Sequence, residues 1–296
     1  MSPDVNLFLT TCRDRINPLL DNCLPITGEP TTLLSAARYA TLGNGKRIRP
    51  CLVYAGALAV GEISQATDRV ACAIELMHTY SLIHDDLPSM DDDALRRGKP
   101  TCHVVYGEAT AILAGDGLQA LAFEQLSEPG RFDPGLALSF VNQLARASGL
   151  SGMVLGQAMD MDATDKQVDL PYLETMHRRK TADLITASVM MGAQSSSSGA
   201  QPNSLLALSD YGRAIGLAFQ VMDDILDARS NTAVLGKPAG ADAKLHKSTY
   251  TSLLGLDRAA DMRDKLFRQS LGALTEFDGR ADHLRALAHH IINRDF

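Results

Sequence analysis

The sequence predicts an all-α protein, and three features predict it. Apolar residues recur at three- and four-residue spacing, as in RVACAIELMHTYSLIHDD (69–86) and LALSDYGRAIGLAFQVMDDILDA (206–228). Alternating strand patterns are missing, as are Asn-Gly or Asp-Gly turns between alternating runs. Aromatic residues make up only 5%, Trp is absent, and Ala and Leu dominate, as suits helix packed on helix.

In chain order, the helical pattern breaks at 25–30, 43–50, 129–134 and 162–171, each bounded by proline or glycine at one end or both. The run SSSSGAQPN at 195–203 is the one low-complexity patch, and the helical segments around it make it a helix–helix loop. A length of 296 residues allows one large domain or two small ones. With no linker left over, 1–296 is expected to form a single domain.

Composition excludes several classes. A net charge of -7 argues against a general nucleic-acid binder. No apolar run approaches the roughly 18 residues that cross a bilayer. The first residues, MSPDVNLFLTTCRDR, lack the basic start of a secretory signal. Cys12, Cys23, Cys51, Cys72 and Cys102 form no CxxC pair, so reduced thiols in a cytoplasmic protein are expected.

Two aspartate clusters carry the chemistry. One is Asp85, Asp86, Asp91, Asp92 and Asp93; the other is Asp223, Asp224 and Asp227. Each closes an apolar helix, although Asp is a weak helix former and like charges at i,i+4 repel. Crowded carboxylates near a low-dielectric interior need cations, and Mg²⁺ binds one or two carboxylates together with substrate phosphates. A solvated acidic helix end explains one such cluster more easily than two. The stretch from Asp160 lacks the ligand and glycine positions of an EF-hand, and no Glu-x-x-His pair suggests di-iron.

Cations supply the complement. Lys46, Arg47 and Arg49 lie in GNGKRIRP, Arg96, Arg97 and Lys99 follow the first cluster, and Lys180, Lys237 and Lys247 come later. GNGKR is no Walker loop, because Ala40 and Arg47 stand where Gly and Ser/Thr are required. Arg and Lys nonetheless suit phosphate oxygens, so the combination points to a polyanion that arrives with metal. His78 lies seven residues before Asp85, on nearly the same side of a helix. No G-x-S-x-G elbow and no nucleophile–base signature appears, an absence that does not decide the matter but points toward electrostatic and metal-assisted cleavage of a diphosphate bond rather than covalent catalysis.

At this point the chain closely resembles the trans-isoprenyl diphosphate (polyprenyl) synthases, and among them the bacterial farnesyl diphosphate synthases. The matching segments, in order, are GKRIRP, ELMHTYSLIHDDLPSMDDDALRRGKPT, GQAMDMDA, HRRKT, GLAFQVMDDILD and GKPAGADAKLHKSTYTSLLGLD. The resemblance implies an all-α, isoprenoid-synthase-type bundle around a central cavity, assembled as a homodimer. It implies that Asp85, Asp86 and Asp91 hold Mg²⁺ from one helix, and Asp223 with Asp227 from the facing one, Mn²⁺ being able to substitute. Arg96, Lys180, Thr181, Gln220, Lys237 and Lys247 would bind the allylic diphosphate. Gly45, Lys46, Arg49, His78 and Arg97 would bind isopentenyl diphosphate. Asp85, Asp91, Arg96, Lys180, Asp223 and Lys237 form the implied catalytic set. The implied reaction is loss of diphosphate from dimethylallyl or geranyl diphosphate, attack by the isopentenyl double bond, and loss of a proton.

Tyr80 and Ser81, just upstream of Asp85, occupy the positions that limit product length in this family. By resemblance a large aromatic there forms the cavity floor and stops growth near farnesyl (C15). Five helical residues rise about 7.5 Å, although Tyr80 points about 140° around the helix from Asp85. Three departures stand out: Ala182 where relatives carry glycine, Pro238 after Lys237, and a tail, IINRDF, less basic than that of many relatives. The last weakens the case for a tail that closes over isopentenyl diphosphate.

Other readings are a geranylgeranyl or geranyl diphosphate synthase, a terpene cyclase, and an inactive partner subunit. DDILD together with GKRIR favours chain elongation over cyclisation, and both aspartate motifs are intact, unlike those of a silent subunit.

Overall fold

The computed structural model describes residues 4–26, 28–29, 31–43, 45–229 and 248–294. Helices account for nearly all regular structure among them: α1 (Val5–Cys23), α2 (Thr32–Thr41), α3 (Ile48–Val60), α4 (Gln65–Asp85), α5 (Cys102–Tyr106) and α6 (Glu108–Ser127). Then come α7 (Pro134–Ser148), α8 (Met153–Ala163), α9 (Leu170–His177), a π-turn (Arg178–Ala182), α10 (Asp183–Gln194) and α11 (Pro202–Arg229). Past 247 the chain continues as α12 (Tyr250–Leu254), α13 (Leu256–Ala273), a 3₁₀ turn (Gly279–Ala281) and α14 (Asp282–Ile292). None of these helices is long and apolar enough to cross a membrane.

The two motif-bearing helices are apolar around most of their circumference, the mark of a helix inside a bundle. In α4, Val70 to Met77, Tyr80 and Ile83 are buried; in α11, Leu208, Tyr211, Ile215, Val221, Met222 and Ile225 are. Each fully buried Leu, Ile or Val contributes about 1.5–3 kcal/mol. Ser64 starts α4 through a capping box with Thr67, and Pro88 lies just past its end. α4 packs on α6 and α3, α11 on α13 and α10, and α10 touches α3, α4 and α11 alike. The ends of α4 and α11 therefore meet through α10 and the π-turn before it.

Most predicted breaks fall between helices, and Ser195 to Gln201 is the loop between α10 and α11. The break at 43–50 is shorter than expected: α3 begins at Ile48, so Arg49 and Pro50 occupy its first turn, where proline loses no helical bond. One element went unforeseen. Leu95–Arg96 and Lys99–Pro100 pair as an antiparallel hairpin, joined by Arg97 and Gly98 with φ of 53° and 75°. Two positive φ values at the turn centre are the type I′ geometry that matches strand twist. Two-residue strands carry no alternation for a sequence reading to find.

Candidate active site

The π-turn brings the aspartate motifs together. The N–H of Asp183 bonds to Arg178 O, a five-residue step that inserts one wide turn between α9 and α10. From this turn Lys180 Nζ reaches Asp160 Oδ2 of α8 at 2.7 Å and Asp85 Oδ1 of α4 at 3.8 Å. The next residue, Thr181, donates to Gln220 Oε1 of α11 at 2.9 Å, one turn before Asp223. Lys180, Thr181 and Gln220, all assigned to the allylic diphosphate, thus bridge Asp85 to the second motif. Gly156 makes the approach possible: a Cβ there would lie 2.1 Å from Lys180 N. Ala182 is accommodated by Gly216, which presents no side chain against its methyl.

In each motif the paired aspartates divide. Asp86, expected beside Asp85 among the metal ligands, is buried and takes Arg96 on both oxygens, with Nε at 2.7 and 2.9 Å and Nη2 at 2.5 Å. Burial raises its pKa to about 6 against the pull of Arg96, so the pair is ionised at neutral pH. Burial opposes the charge on Arg96 too, but Asp86 outweighs it and the Arg96 pKa is raised. In the second motif Asp224 is buried and accepts the N–H of Tyr250 at 2.7 Å, anchoring the start of α12. Neighbours on a helix point about 100° apart, so one of each pair turns into the protein and Asp85 and Asp223 take the other side. Asp91 closes the loop after α4 through its N–H to Asp85 O, while Asp92, at φ 52°, is an exposed turn residue. Asp227 keeps one buried oxygen, Oδ1, without a hydrogen bond among the described residues.

The second predicted subsite is a corner of cations. His78 Nε2 lies 3.1 Å from Arg49 Nη1. Burial and then Arg49, Arg97, Arg96 and Arg47 hold the His78 pKa well below 6.5, so the neutral ring accepts from Arg49. Burial lowers Arg49 to about 10, and its Nε is buried without a partner among the described residues. Desolvation and neighbouring cations also lower Lys46 and Arg97. Gly45 leaves room for two guanidinium groups: Arg47 Nη1 and Arg97 Nη1 each lie 2.9 Å from where its Cβ would be. Positive groups that destabilise one another's charge form a ready site for an anion.

Arg47 plays a different part. At φ 55° it turns inward to Glu75 (2.7 Å), Asn17 (3.0 Å) and the carbonyls of Thr41 and Gly43 (2.7 and 3.2 Å), bracing the loop that carries Gly45 and Lys46. Tyr80 is buried at the α4–α6 seam, edge-on to His84 with centroids 5.0 Å apart. Ser81 is partly exposed and donates to His78 O at 2.8 Å. Lys237 and Lys247 lie outside the described residues.

Sequence reasoning missed Asp160, Glu75 and Arg294. Asp160 sits in GQAMDMDA, where the signal was a motif without an assigned role. Arg294 Nη2 reaches Asp223 Oδ1 at 2.6 Å, so the tail meets the second motif despite its modest charge.

Comparison with known proteins identifies the family. The family described as Polyprenyl synthetase matches residues 30–288. The chain is 47% identical over 295 residues to the farnesyl diphosphate synthase of Escherichia coli, covering 97% of this chain and 98% of that one. It is 43% identical over 297 residues to the chloroplastic geranylgeranyl pyrophosphate synthase 3 of Arabidopsis thaliana, covering 98% and 82% respectively. The geranyltransferase of Helicobacter pylori, solved with magnesium and isoprenyl diphosphate, superposes with a TM-score of 0.87 at 33% identity over 99% of each chain.

Proposed function

The chain belongs to the polyprenyl synthetase family, and from that premise we propose that it condenses isopentenyl diphosphate with dimethylallyl and then geranyl diphosphate to give (2E,6E)-farnesyl diphosphate. The enzyme is a trans-prenyltransferase. One observation carries the site assignment: Lys180 and Thr181 connect Asp85 to Gln220, so carboxylates from both motifs flank a single cluster of phosphate-binding side chains.

The proposed metal is Mg²⁺, with Mn²⁺ able to replace it. Among the described residues no three acidic, His or Cys side chains converge on one point. Mg²⁺ is a hard ion that takes one or two carboxylates and completes its shell with diphosphate oxygens and water. Asp85, Asp91, Asp223 and Asp227 are the proposed ligands, and Oδ1 of Asp227 is buried with no hydrogen bond among the described residues. When bound, the metal neutralises charge building on the departing diphosphate.

The protein's own groups do the rest. Lys180, Thr181, Gln220 and Arg96 orient the allylic diphosphate, with Arg96 fixed in turn by Asp86. Lys237 and Lys247 are assigned to the same anion by the sequence match. Lys46, Arg49, Arg97 and neutral His78, with Gly45 clearing space, hold isopentenyl diphosphate so that its double bond faces the allylic carbon. Holding both partners in place replaces an encounter with an intramolecular step. Carbon–oxygen cleavage leaves an allylic cation, the double bond attacks it, and the departed diphosphate accepts the proton.

Tyr80 sets the proposed stop at C15. The exposed apolar face of α6, with Ala109, Ile112, Leu113, Gly117 and Ala120, is the proposed homodimer surface. The proposed catalytic unit is one domain over 1–296. Cys12, Cys51, Cys72 and Cys102 are free and buried, which supports placement in the reducing cytoplasm. The test is incubation with dimethylallyl diphosphate, isopentenyl diphosphate and Mg²⁺, followed by chromatography of the dephosphorylated products. Farnesol as the main product is expected. A main C20 product would overturn the farnesyl assignment alone, and no isopentenyl diphosphate consumption would overturn the synthase reading.

A further inference from the structure

Among the described residues, one cation lies against Asp85 and one against Asp223, and they are held differently. Lys180 is 3.8 Å from Asp85 but closer to Asp160, at 2.7 Å, so it can leave Asp85 and keep its nearer carboxylate. Arg294, two residues past the end of α14, has Asp223 as its one acidic partner within ion-pair distance among the described residues, at 2.6 Å. Its other contacts are Phe219 O at 3.1 Å and the Phe219 ring, 3.8 Å from the guanidinium carbon.

We propose that Arg294 is a resident counter-ion of Asp223 in the second aspartate motif and that a divalent cation arriving at Asp223 displaces it, making metal loading and release of the C-terminal arm one linked equilibrium. The proposal rests on the metal-dependent reading of the site given above. Oδ1 of Asp223 cannot accept a guanidinium at 2.6 Å and coordinate a metal at the same point, because two cations there would repel. The double charge of the metal, reinforced by a diphosphate, favours it in that competition. Release is local, since Ile291 and Ile292 are buried and keep the end of α14 in place.

Displacement also changes the cation corner. Lys46 and His290 both lie within the field of Arg294, and Asp223 partly offsets that field at Lys46. With Asp223 given to a metal, Lys46 and Arg294 lose that offset and the corner gains affinity for an anion. Linkage requires the reciprocal effect: whatever holds Arg294 away from Asp223 tightens metal binding.

The experiment measures free Mn²⁺ by electron paramagnetic resonance in titrations of the full-length protein without substrate. Arg294→Gln is expected to bind Mn²⁺ about three- to tenfold more tightly than wild type, and Arg294→Lys to stay near wild type. In wild type, Mn²⁺ is expected to speed tryptic cleavage after Arg294 several-fold, followed by intact mass, a readout that needs no variant. Unchanged Mn²⁺ affinity in Arg294→Gln, or cleavage indifferent to Mn²⁺, overturns the proposal. Failure of wild type to bind Mn²⁺ even with inorganic diphosphate overturns the metal-dependent reading beneath it.

Discussion

Asp86 grips Arg96 with both carboxylate oxygens, while its neighbour Asp85 turns toward Lys180. The two halves of this pair should therefore fail differently. Asp85→Asn is expected to weaken Mn²⁺ binding measured with inorganic diphosphate. Asp86→Asn should leave that affinity within about twofold but cost about 1–3 kcal/mol in urea unfolding, Arg96 being partly exposed. It should also raise KM for the allylic substrate. Equal loss of metal in both variants would return Asp86 to the ligand set.

Gly156→Ala drives a methyl into the backbone of Lys180. Relief requires α8 and the π-turn to separate, at a cost of about 1–3 kcal/mol. Because Lys180 and Thr181 move with that turn, KM for the allylic diphosphate should rise more than KM for isopentenyl diphosphate. Steady-state kinetics that vary each substrate in turn check this.

Lys46 and Arg47 are adjacent but do opposite things. Glu75→Gln strips the buried Arg47 of its carboxylate and should lower stability by about 3–5 kcal/mol. Lys46→Ala should leave stability within about 0.5 kcal/mol and raise KM for isopentenyl diphosphate. Urea midpoints beside initial rates separate the two effects.

His78 ties stability to pH. Its folded pKa lies well below 6.5, so the native state binds fewer protons than the unfolded chain in that interval. The stabilisation is complete above 6.5 and is lost as pH falls toward the folded value. His78→Gln, which keeps an acceptor for Arg49, should lose less stability than wild type between about pH 7.5 and pH 5.5. His283 and His290 shift in the same direction in both proteins, so the difference between them isolates His78.

Tyr80→Ala should move part of the product beyond C15, read from the chromatogram of dephosphorylated alcohols. The lost packing at the α4–α6 seam should cost a few kcal/mol, about what large-to-small core changes cost. A folded variant with an unchanged product distribution removes the steric role of Tyr80.

The helices were legible because burial stamps a three-to-four spacing on α4 and α11, and the aspartates were legible because acidic clusters so rarely close apolar helices. The division within each pair was not. Asp85 and Asp86 look alike in sequence, and only the hairpin that delivers Arg96 tells them apart. That hairpin was itself hidden, with strands too short to alternate and an arginine in the left-handed position before Gly98. Arg47 looked like one more phosphate cation until the fold placed Glu75 beneath it. Arg294 went unassigned, because its contact with Asp223 depends on α14 ending beside α11, a tertiary fact with no local signature.

The wide turn at Arg178–Ala182 makes the stretch from Leu170 to Gln194 a helix carrying one residue more than regular winding would use. The extra residue is absorbed locally, because five residues of wide winding cover about the rotation and rise of four residues of ordinary winding, so α9 and α10 keep the phase of one continuous helix. Removing a residue there would restore ordinary winding and leave α9 and α10 in register with each other. What it would remove is the wide turn itself, from which Lys180 and Thr181, adjacent in the chain, reach Asp85 and Gln220 on two different helices.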